Sequence, residues 1–269
     1  MDTGMLPVPG AEIYYEVRGS GPVLLLVNGG DGDAAMFAPL ATVLAERYTV
    51  VTYDPRGNSR SPLTVPPYEQ RIGEHAEDAL RLLEAVGGDP AYVFGTSYGG
   101  MVGMDLLARN PGRVRAVVAH EPFVIELLPD AARWHALFEE LHEIYLKDGV
   151  DAAMRRFGEE VGLTPPPEPP PGLPAPIVEM LTRVRANSET VLAYELRSFT
   201  RFVPDLDALR DAPLVVVGGA DSGDALTHRT AATLAERLGT GLVEFPGGHV
   251  GFLTHLAEFA KALVEILGD

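Results

Sequence analysis

Short, almost continuously apolar runs recur along the chain, separated by stretches in which apolar residues repeat with helical spacing. Because apolar and polar residues do not alternate within these runs, we expect them to be strands buried on both faces of a parallel sheet. The alternation of such strands with helical stretches predicts an α/β fold, with a mostly parallel central sheet and helices on both faces. The runs are PVLLLVN (22–28), TVVTYD (49–54), AYVFG (91–95), VRAVVA (114–119) and APLVVVG (212–218).

The beginning of the chain has a different pattern. EIYYEVRGSGPVLLLV contains two strand-like runs joined by Gly-Ser-Gly, which is a turn-forming combination. We therefore expect an antiparallel hairpin between these two runs at the start of the sheet.

Between residues 122 and 204 the strand pattern stops and only helical patterns continue. This interruption predicts an inserted all-helical cap (122–204) on a core made of residues 1–121 and 205–269. Within the cap, the proline-rich segment TPPPEPPPGLPAP (164–176) has too few backbone N–H groups for a helix or a central strand. We expect an extended, polyproline-like connector there.

The composition fits one globular domain of 269 residues, since 46% of the residues are hydrophobic and the mean hydropathy is +0.07. The formal charge of −17, from 21 basic and 38 acidic residues, disfavours nucleic acid and anionic lipid as partners. The sequence shows no targeting segment and no membrane span, so we expect a cytoplasmic protein without membrane association. The absence of cysteine excludes disulfides, thiolate metal sites and a cysteine nucleophile.

One serine lies between glycines where a predicted strand meets a predicted helix. Gly95-Thr96-Ser97-Tyr98-Gly99 matches the pattern G-x-S-x-G, and in this context the pattern indicates a sharp turn that exposes a nucleophilic hydroxyl. The glycines leave room for the neighbouring strand and helix. Glycines that serve packing alone are the alternative, and the strand-to-helix context favours the nucleophile.

A serine nucleophile needs a base and a carboxylate that orients the base. Asp221 follows the last long apolar run, and His249 lies in a glycine-rich turn before the last helix. The order Ser97, Asp221, His249 is the order that this arrangement requires. Two other carboxylates remain as alternatives for the acid: Asp224, three residues further into the same loop, and Glu121, which directly follows the preceding strand.

Taken together, these motifs resemble those of the α/β-hydrolase fold family, with a serine nucleophile and a helical cap. YDPRGNSRS (53–61) and RVRAVVAHEP also resemble segments of that family, and the resemblance extends over essentially the whole chain. It implies the fold and the catalytic machinery, but it does not imply a substrate.

The same resemblance implies an oxyanion hole made by the backbone N–H groups of Tyr98 and Gly30. Asn28 stands where the family usually has histidine. Asp31 and Asp33 would oppose a developing oxyanion unless they point to solvent, and they are also able to hold a polar substrate group or a water.

The loop NGGDGD (28–33) also fits two other kinds of site. Gly30, Gly32 and Ala35 match G-x-G-x-x-A, with Asp54 near the position of a ribose-binding acid, so a dinucleotide-dependent dehydrogenase is a rival interpretation. The two aspartates would repel a pyrophosphate, and this interpretation leaves Ser97 and His249 without a role. The Asp-Gly-Asp core lacks the glutamate of a calcium loop. We therefore expect neither cofactor nor metal.

The sequence thus predicts a serine hydrolase that forms an acyl-enzyme on a small or medium-sized, largely apolar ester, thioester or lactone. A lyase, a cyclase or a ligand-binding protein that uses the same pocket is the alternative. The oligomeric state is left open. The residues expected to line a substrate pocket are Asn28, Asp31, His120, Glu121, Phe123, Trp134 and Phe138.

Overall fold

A computed structural model describes residues 1–87, 90–161 and 172–268 of the chain. Its centre is one eight-stranded sheet in the order β1-β2-β4-β3-β5-β6-β7-β8, in which strands β3 to β8 are parallel. All five predicted buried runs are strands of this sheet. The strands are β1 (Asp2–Val8), β2 (Ala11–Arg18), β3 (Val23–Val27), β4 (Thr49–Tyr53), β5 (Ala91–Thr96), β6 (Val114–His120), β7 (Leu214–Gly219) and β8 (Val243–Phe245).

The predicted hairpin between β2 and β3 is wrong. Strand β2 pairs antiparallel with β1 on one side and with β4 on the other, so β4 separates it from β3. The hairpin is formed by β1 and β2, and Gly10 in the turn has a φ of +83°, which glycine adopts without strain. The Gly-Ser-Gly segment instead connects β2 to β3 across the amino end of β4, where the Thr49 N–H donates to the Pro22 carbonyl.

Helices cover both faces of the sheet, as the sequence predicts. Helices α1, α10 and α11 pack on one face, where Leu24 and Leu26 point, and α2, α3 and α9 pack on the other, where Leu25 and Val27 point. The helices are α1 (Ala38–Leu44), α2 (Ile72–Val86), α3 (Tyr98–Arg109), α4 (Ala131–Asp148), α5 (Val150–Val161), α6 (Ala175–Thr190), α7 (Leu196–Phe199), α8 (Leu206–Leu209), α9 (Leu226–Leu238), α10 (Gly251–Thr254) and α11 (Leu256–Leu267).

The described residues between β6 and β7 are helical or irregular, and none of them belongs to a strand. We call 122–204 the cap segment. A π-helical turn, Val191–Glu195, joins α6 to α7 inside it. Most of the predicted proline-rich connector lies outside the described residues, and its last two positions belong to α6.

Across the described ranges of the chain, every helix is too short or too polar to cross a membrane.

Candidate active site

Ser97 occupies the sharp turn between β5 and α3. Its backbone has φ of 55° and ψ of −121°, a combination that side chains rarely tolerate and that persists only where the surroundings enforce it. Side chains at the two flanking glycines would be impossible here. A Cβ on Gly95 would lie 2.1 Å from the Gly99 carbonyl oxygen, and one on Gly99 would lie 2.1 Å from that of Val27. The turn therefore presses α3 directly against the end of β3.

Backbone strain is concentrated at this edge of the sheet. Within the described residues, the non-glycine residues with positive φ are Asp31, Ser59, Ser97 and Glu121. All four follow the carboxyl ends of β3, β4, β5 and β6, which is the edge where parallel sheets bind ligands. Such strain tends to occur at functional sites, and here it is found at four successive strand ends of one sheet edge.

His249 is oriented by Glu121. Its ring Nδ1 lies 2.6 Å from Glu121 Oε2, which also accepts a hydrogen bond of 2.7 Å from the Thr227 hydroxyl. The other carboxylate oxygen of Glu121 accepts the Gly219 N–H at 3.0 Å. Burial by itself would raise the pKa of Glu121, but the hydrogen bonds from His249 and its neighbours outweigh it and lower that pKa below its usual value. Glu121 is therefore held as a carboxylate against the imidazole.

Asp221 does not occupy the place that the sequence order predicts for it. Its side chain is exposed, and its backbone N–H donates to the Gly247 carbonyl at 2.9 Å. Asp224 is also exposed. Glu121, the second candidate, is the carboxylate that meets the His249 ring, and its backbone at the end of β6 has a φ of 45°. The carboxylate that pairs with His249 therefore lies at the end of β6, whereas the sequence order predicts it at the end of β7.

His120 connects the Ser97 turn to His249. Its carbonyl accepts the Ser97 N–H at 2.9 Å, and its ring stacks on the His249 ring with 6.2 Å between the centroids. It is fully buried, and its Nδ1 lies 3.0 Å from the Thr96 hydroxyl. Burial lowers the pKa of His120 to about 3, and the nearby His249 is a second, smaller cause of this lowering. His120 is thus a neutral, fully buried residue that contacts Ser97 and His249 and does not line an open pocket.

The loop after β3 lies against the Ser97 turn. A Cβ on Gly29 would approach Ser97 Cβ to 2.9 Å, and one on Gly30 would approach the Tyr98 ring to 3.3 Å. Asn28 is buried and its side chain donates to the Asp33 carbonyl at 3.2 Å, so it holds this loop together. Tyr98 is the first residue of the twelve-residue helix α3, whose N-terminus favours negative charge.

Asp33 of this loop does not point to solvent, and one carboxylate oxygen of Asp31 is also buried. Asp33 is fully buried, and its carboxylate receives Arg183 of the cap segment at 2.6 Å and Arg60 at 3.3 Å. The charge of Asp33 is thereby neutralised. Asp54, the ribose-binding acid of the dinucleotide alternative, is likewise engaged, since it accepts the Ala34 N–H at 2.7 Å and pairs with Arg60.

Asn187 on α6 ties the cap segment to the site. Its side-chain amide donates to the carbonyls of Asp31 and Gly32 at 3.1 and 3.0 Å, and its oxygen accepts the Ser59 N–H at 2.7 Å. One buried side chain therefore holds two strained loops under the cap. The sequence reasoning missed Asn187, because an asparagine inside a helical pattern gives no signal of this role.

A small pocket lies beside the loop after β3, and we call it the polar pocket for the buried polar side chains in its otherwise mainly apolar wall. Its walls include Asn28, Tyr53, Asn58, Tyr98 and Glu195, and also Gly29, which packs against Ser97. Asn58 donates to Glu195 Oε1 at 2.9 Å. Burial raises the pKa of Glu195 to about 8. The hydrogen bond from Asn58 partly offsets this rise, and the nearby charge of Asp31 adds to it. A buried acid whose carboxylate accepts one hydrogen bond from the described part of the chain therefore lies in a pocket whose wall includes Gly29 and Tyr98, the neighbours of Ser97.

Glu195 ends the π-helical turn, and such turns occur often at functional sites. The sequence reasoning missed it because Glu195 lies in a helical pattern where glutamate normally faces solvent. Asn58 lies in the turn YDPRGNSRS, and its residue type alone indicates no role at this site.

The predicted aromatic pocket residues lie together, but in a packed cluster. Phe123, Trp134 and Phe138 are each at most 4% exposed. Phe123 lies 5.9 Å from Tyr98 and 6.1 Å from Phe138, between ring centroids. Of these three, Phe123 is the one whose ring lies next to Tyr98, the residue after Ser97.

We expect Glu195→Gln to change how stability depends on pH. The pKa of Glu195 is raised in the folded protein, so its contribution to stability is complete below pH 4.5 and is lost as the pH rises to about 8. Glutamine removes this loss. Urea unfolding at pH 5 and pH 8.5 should show that the variant gains on the wild type by a few kcal/mol at the higher pH, roughly 1.4 kcal/mol per pKa unit.

Glu179→Gln is the matched control, because Glu179 is exposed on α6 of the same cap segment. It should follow the wild type at both pH values. Parallel stability curves for Glu195→Gln and the wild type would contradict the assignment of a buried, raised-pKa acid.

The fold and this edge of the sheet define a class. A mostly parallel sheet with helices on both faces and a strained serine between a strand and the following helix is the architecture of an α/β-hydrolase. A sequence model of the α/β hydrolase fold matches residues 22–256, and the chain belongs to that family. The chain is a hydrolase-class enzyme.

Relatives of known sequence and structure agree with this assignment. The uncharacterized hydrolase YraK of Bacillus subtilis is 37% identical, with 99% of this chain and 96% of that protein aligned. A hydrolase from Pseudomonas aeruginosa PA01 superimposes with a TM-score of 0.73 at 24% identity, over 100% of this chain and 99% of that one. A thermophilic esterase from Thermogutta terrifontis gives a TM-score of 0.75 at 20% identity, over 99% and 98%.

Proposed function

We propose that the enzyme hydrolyses a small or medium-sized ester, thioester or lactone through an acyl-enzyme on Ser97. The observation that supports this most strongly is that the strained Ser97 turn and the His249–Glu121 pair lie at the same edge of the sheet. In that pair, His249 Nδ1 lies 2.6 Å from Glu121 Oε2. The esterase with the same fold is consistent with this chemistry.

In this mechanism the Ser97 hydroxyl attacks the acyl carbon while His249 takes its proton. Glu121 holds the imidazole in the tautomer that carries the hydrogen on Nδ1, and it stabilises the imidazolium as it forms. His249 then protonates the leaving group, and a water releases the acyl group by the reverse sequence of proton transfers. The triad is thus Ser97, His249 and Glu121, in place of the predicted Ser97, His249 and Asp221.

The oxyanion hole in this proposal is made by the backbone N–H groups of Tyr98 and Gly30. Tyr98 begins α3, and Gly30 lies against the Tyr98 ring. Each donor of this kind contributes about 3 kcal/mol to transition-state stabilisation. Arg183 and Arg60 neutralise Asp33, which removes one of the two charges that would oppose the oxyanion.

Product analysis in ¹⁸O-labelled water tests hydrolysis directly. We expect the carboxylic acid released from an aryl ester, a thioester and a γ-lactone to carry one ¹⁸O from solvent, with Ser97 transiently acylated in quenched samples examined by mass spectrometry. Conversion without ¹⁸O incorporation would instead indicate a lyase or cyclase. Absence of both turnover and acylation would indicate a binding protein.

A further inference from the structure

The polar pocket beside the loop after β3 takes no part in the proton transfers described above. Buried polar atoms without hydrogen-bond partners lie at this pocket. The Asn58 side-chain oxygen and the Tyr53 hydroxyl are buried pocket-wall atoms that lack hydrogen bonds, although both residues are only 2% exposed. One carboxylate oxygen of Asp31, close to the pocket, is also buried without a partner. Buried polar atoms are normally paired, so these atoms have unused capacity to accept hydrogen bonds from a bound group.

The acids at the pocket lack a neutralising cation of their own. In the described part of the chain, the hydrogen bond of the Glu195 carboxylate comes from Asn58, and Asp31 adds repulsion. The nearby arginines are already paired, since Arg56 binds Asp78 at 2.6 Å and Arg183 binds Asp33. His75, on the pocket wall, is kept neutral because burial lowers its pKa to about 3.

The position of the pocket assigns it to the acyl part of the substrate. In the sheet order, β4 and β3 lie on one side of β5, and β6, β7 and β8 lie on the other. The pocket is walled from the β3 and β4 side, whereas Glu121 and His249 approach from the β6 to β8 side. Because His249 must protonate the leaving group, the leaving group occupies the His249 side and the acyl group the pocket side.

The pocket leaves room for about one water molecule. An ammonium group is about the size of a water molecule, donates three hydrogen bonds and carries the charge that a buried carboxylate requires.

We propose that this pocket binds a protonated amine at the end of the substrate's acyl chain, with Glu195 as its counter-ion and Asn58 and Asp31 as further acceptors. The preferred substrates are therefore aminoacyl esters or thioesters, and this refines the largely apolar acyl group that the sequence predicts. The inference rests on the proposed acyl transfer at Ser97. Burial raises the pKa of Glu195 to about 8 and that of Asp31 to about 6, and an arriving cation would favour their ionised forms.

Three pairs of phenyl esters test the proposal, because each pair replaces a terminal ammonium by a methyl group of similar size. The pairs are glycine and propanoate, β-alanine and butanoate, and 4-aminobutanoate and pentanoate. We expect at least one ammonium ester to exceed its methyl partner in kcat/KM by about tenfold or more at pH 7. That ratio should fall to about one in Glu195→Gln and decrease in Asp31→Asn. It should be unchanged in the control Glu179→Gln, an exposed position on α6.

Calorimetric binding of the same six esters to Ser97→Ala gives the same comparison without turnover. If the wild type hydrolyses none of the esters, the proposed hydrolysis fails, and the binding preference still decides this inference. Weaker binding and slower hydrolysis of all three ammonium esters would overturn it. So would an ammonium preference that survives in both Glu195→Gln and Asp31→Asn, with unfolding midpoints confirming that the variants are folded.

Discussion

Ser97→Ala is expected to lower kcat/KM for an aryl ester by about 10⁴-fold or more, because no other group at the turn between β5 and α3 can form the acyl-enzyme. The strained backbone at position 97 persists through the Gly95 and Gly99 contacts, so the variant should remain folded. Steady-state hydrolysis of phenyl acetate, with the unfolding midpoint measured in parallel, checks this expectation.

Ser20→Ala is the matched control, because Ser20 lies exposed between β2 and β3, far along the chain from the nucleophile turn. It should retain wild-type activity. A Ser97→Ala protein that keeps more than about a tenth of the wild-type rate would rule out Ser97 as the nucleophile.

Glu121→Gln is expected to lower kcat/KM by about 10²- to 10⁴-fold. The glutamine amide would keep much of the side-chain volume, but it would remove the negative charge and would favour the wrong tautomer of His249. KM should change much less than kcat, because Glu121 acts through the histidine and does not touch the substrate. Part of any loss of stability would come from the bonds that Glu121 makes with Gly219 and Thr227, so the activity must be compared at equal folded fraction.

Asp221→Asn separates the two candidate acids. Asp221 is exposed, and its side chain is not engaged with His249, so this variant should stay within about twofold of the wild type. A collapse of kcat in Asp221→Asn together with a mild effect of Glu121→Gln would return the acid to the end of β7.

The fold follows from patterns that are local in the sequence. Each long apolar run had to be buried on both faces, and the helical stretches between the runs supplied the layers that bury them. The pairing of β2 was not accessible in the same way, because a hairpin between β2 and β3 and an insertion of β4 between them bury similar apolar residues. Sequence proximity favoured the hairpin, and the long-range pairing of Tyr15 with Tyr53 overrode it.

The sequence narrows the carboxylate partner of His249 to a few candidates, but it does not decide between Asp221 and Glu121. Both Asp221 and Glu121 follow a buried strand at the same sheet edge, and the pattern does not say which side chain turns toward His249. The φ of 45° at Glu121 makes that difference, since the strained turn directs a fully buried carboxylate to the imidazole. Such a backbone conformation is set by the surrounding packing and is not encoded in the residue type.

The polar pocket was beyond sequence reasoning for a related reason. Its acid, Glu195, lies in a cap helix more than a hundred positions from the loops that it meets, and its burial depends on a single π-helical turn. The hydrogen bond between Asn58 and Glu195 spans 137 positions along the chain. Only the folded arrangement of cap and core brings these residues together.

The most direct test of the account is the rate at which a fluorophosphonate modifies Ser97, because this reaction requires the activated nucleophile but no knowledge of the substrate. The wild type and Asp221→Asn should be labelled at similar rates. Peptide mass spectrometry should locate the label on Ser97 alone. Glu121→Gln should be labelled at least about 10²-fold more slowly than the wild type. Labelling at another residue, or an equal rate in Glu121→Gln and the wild type, would contradict the Ser97–His249–Glu121 assignment.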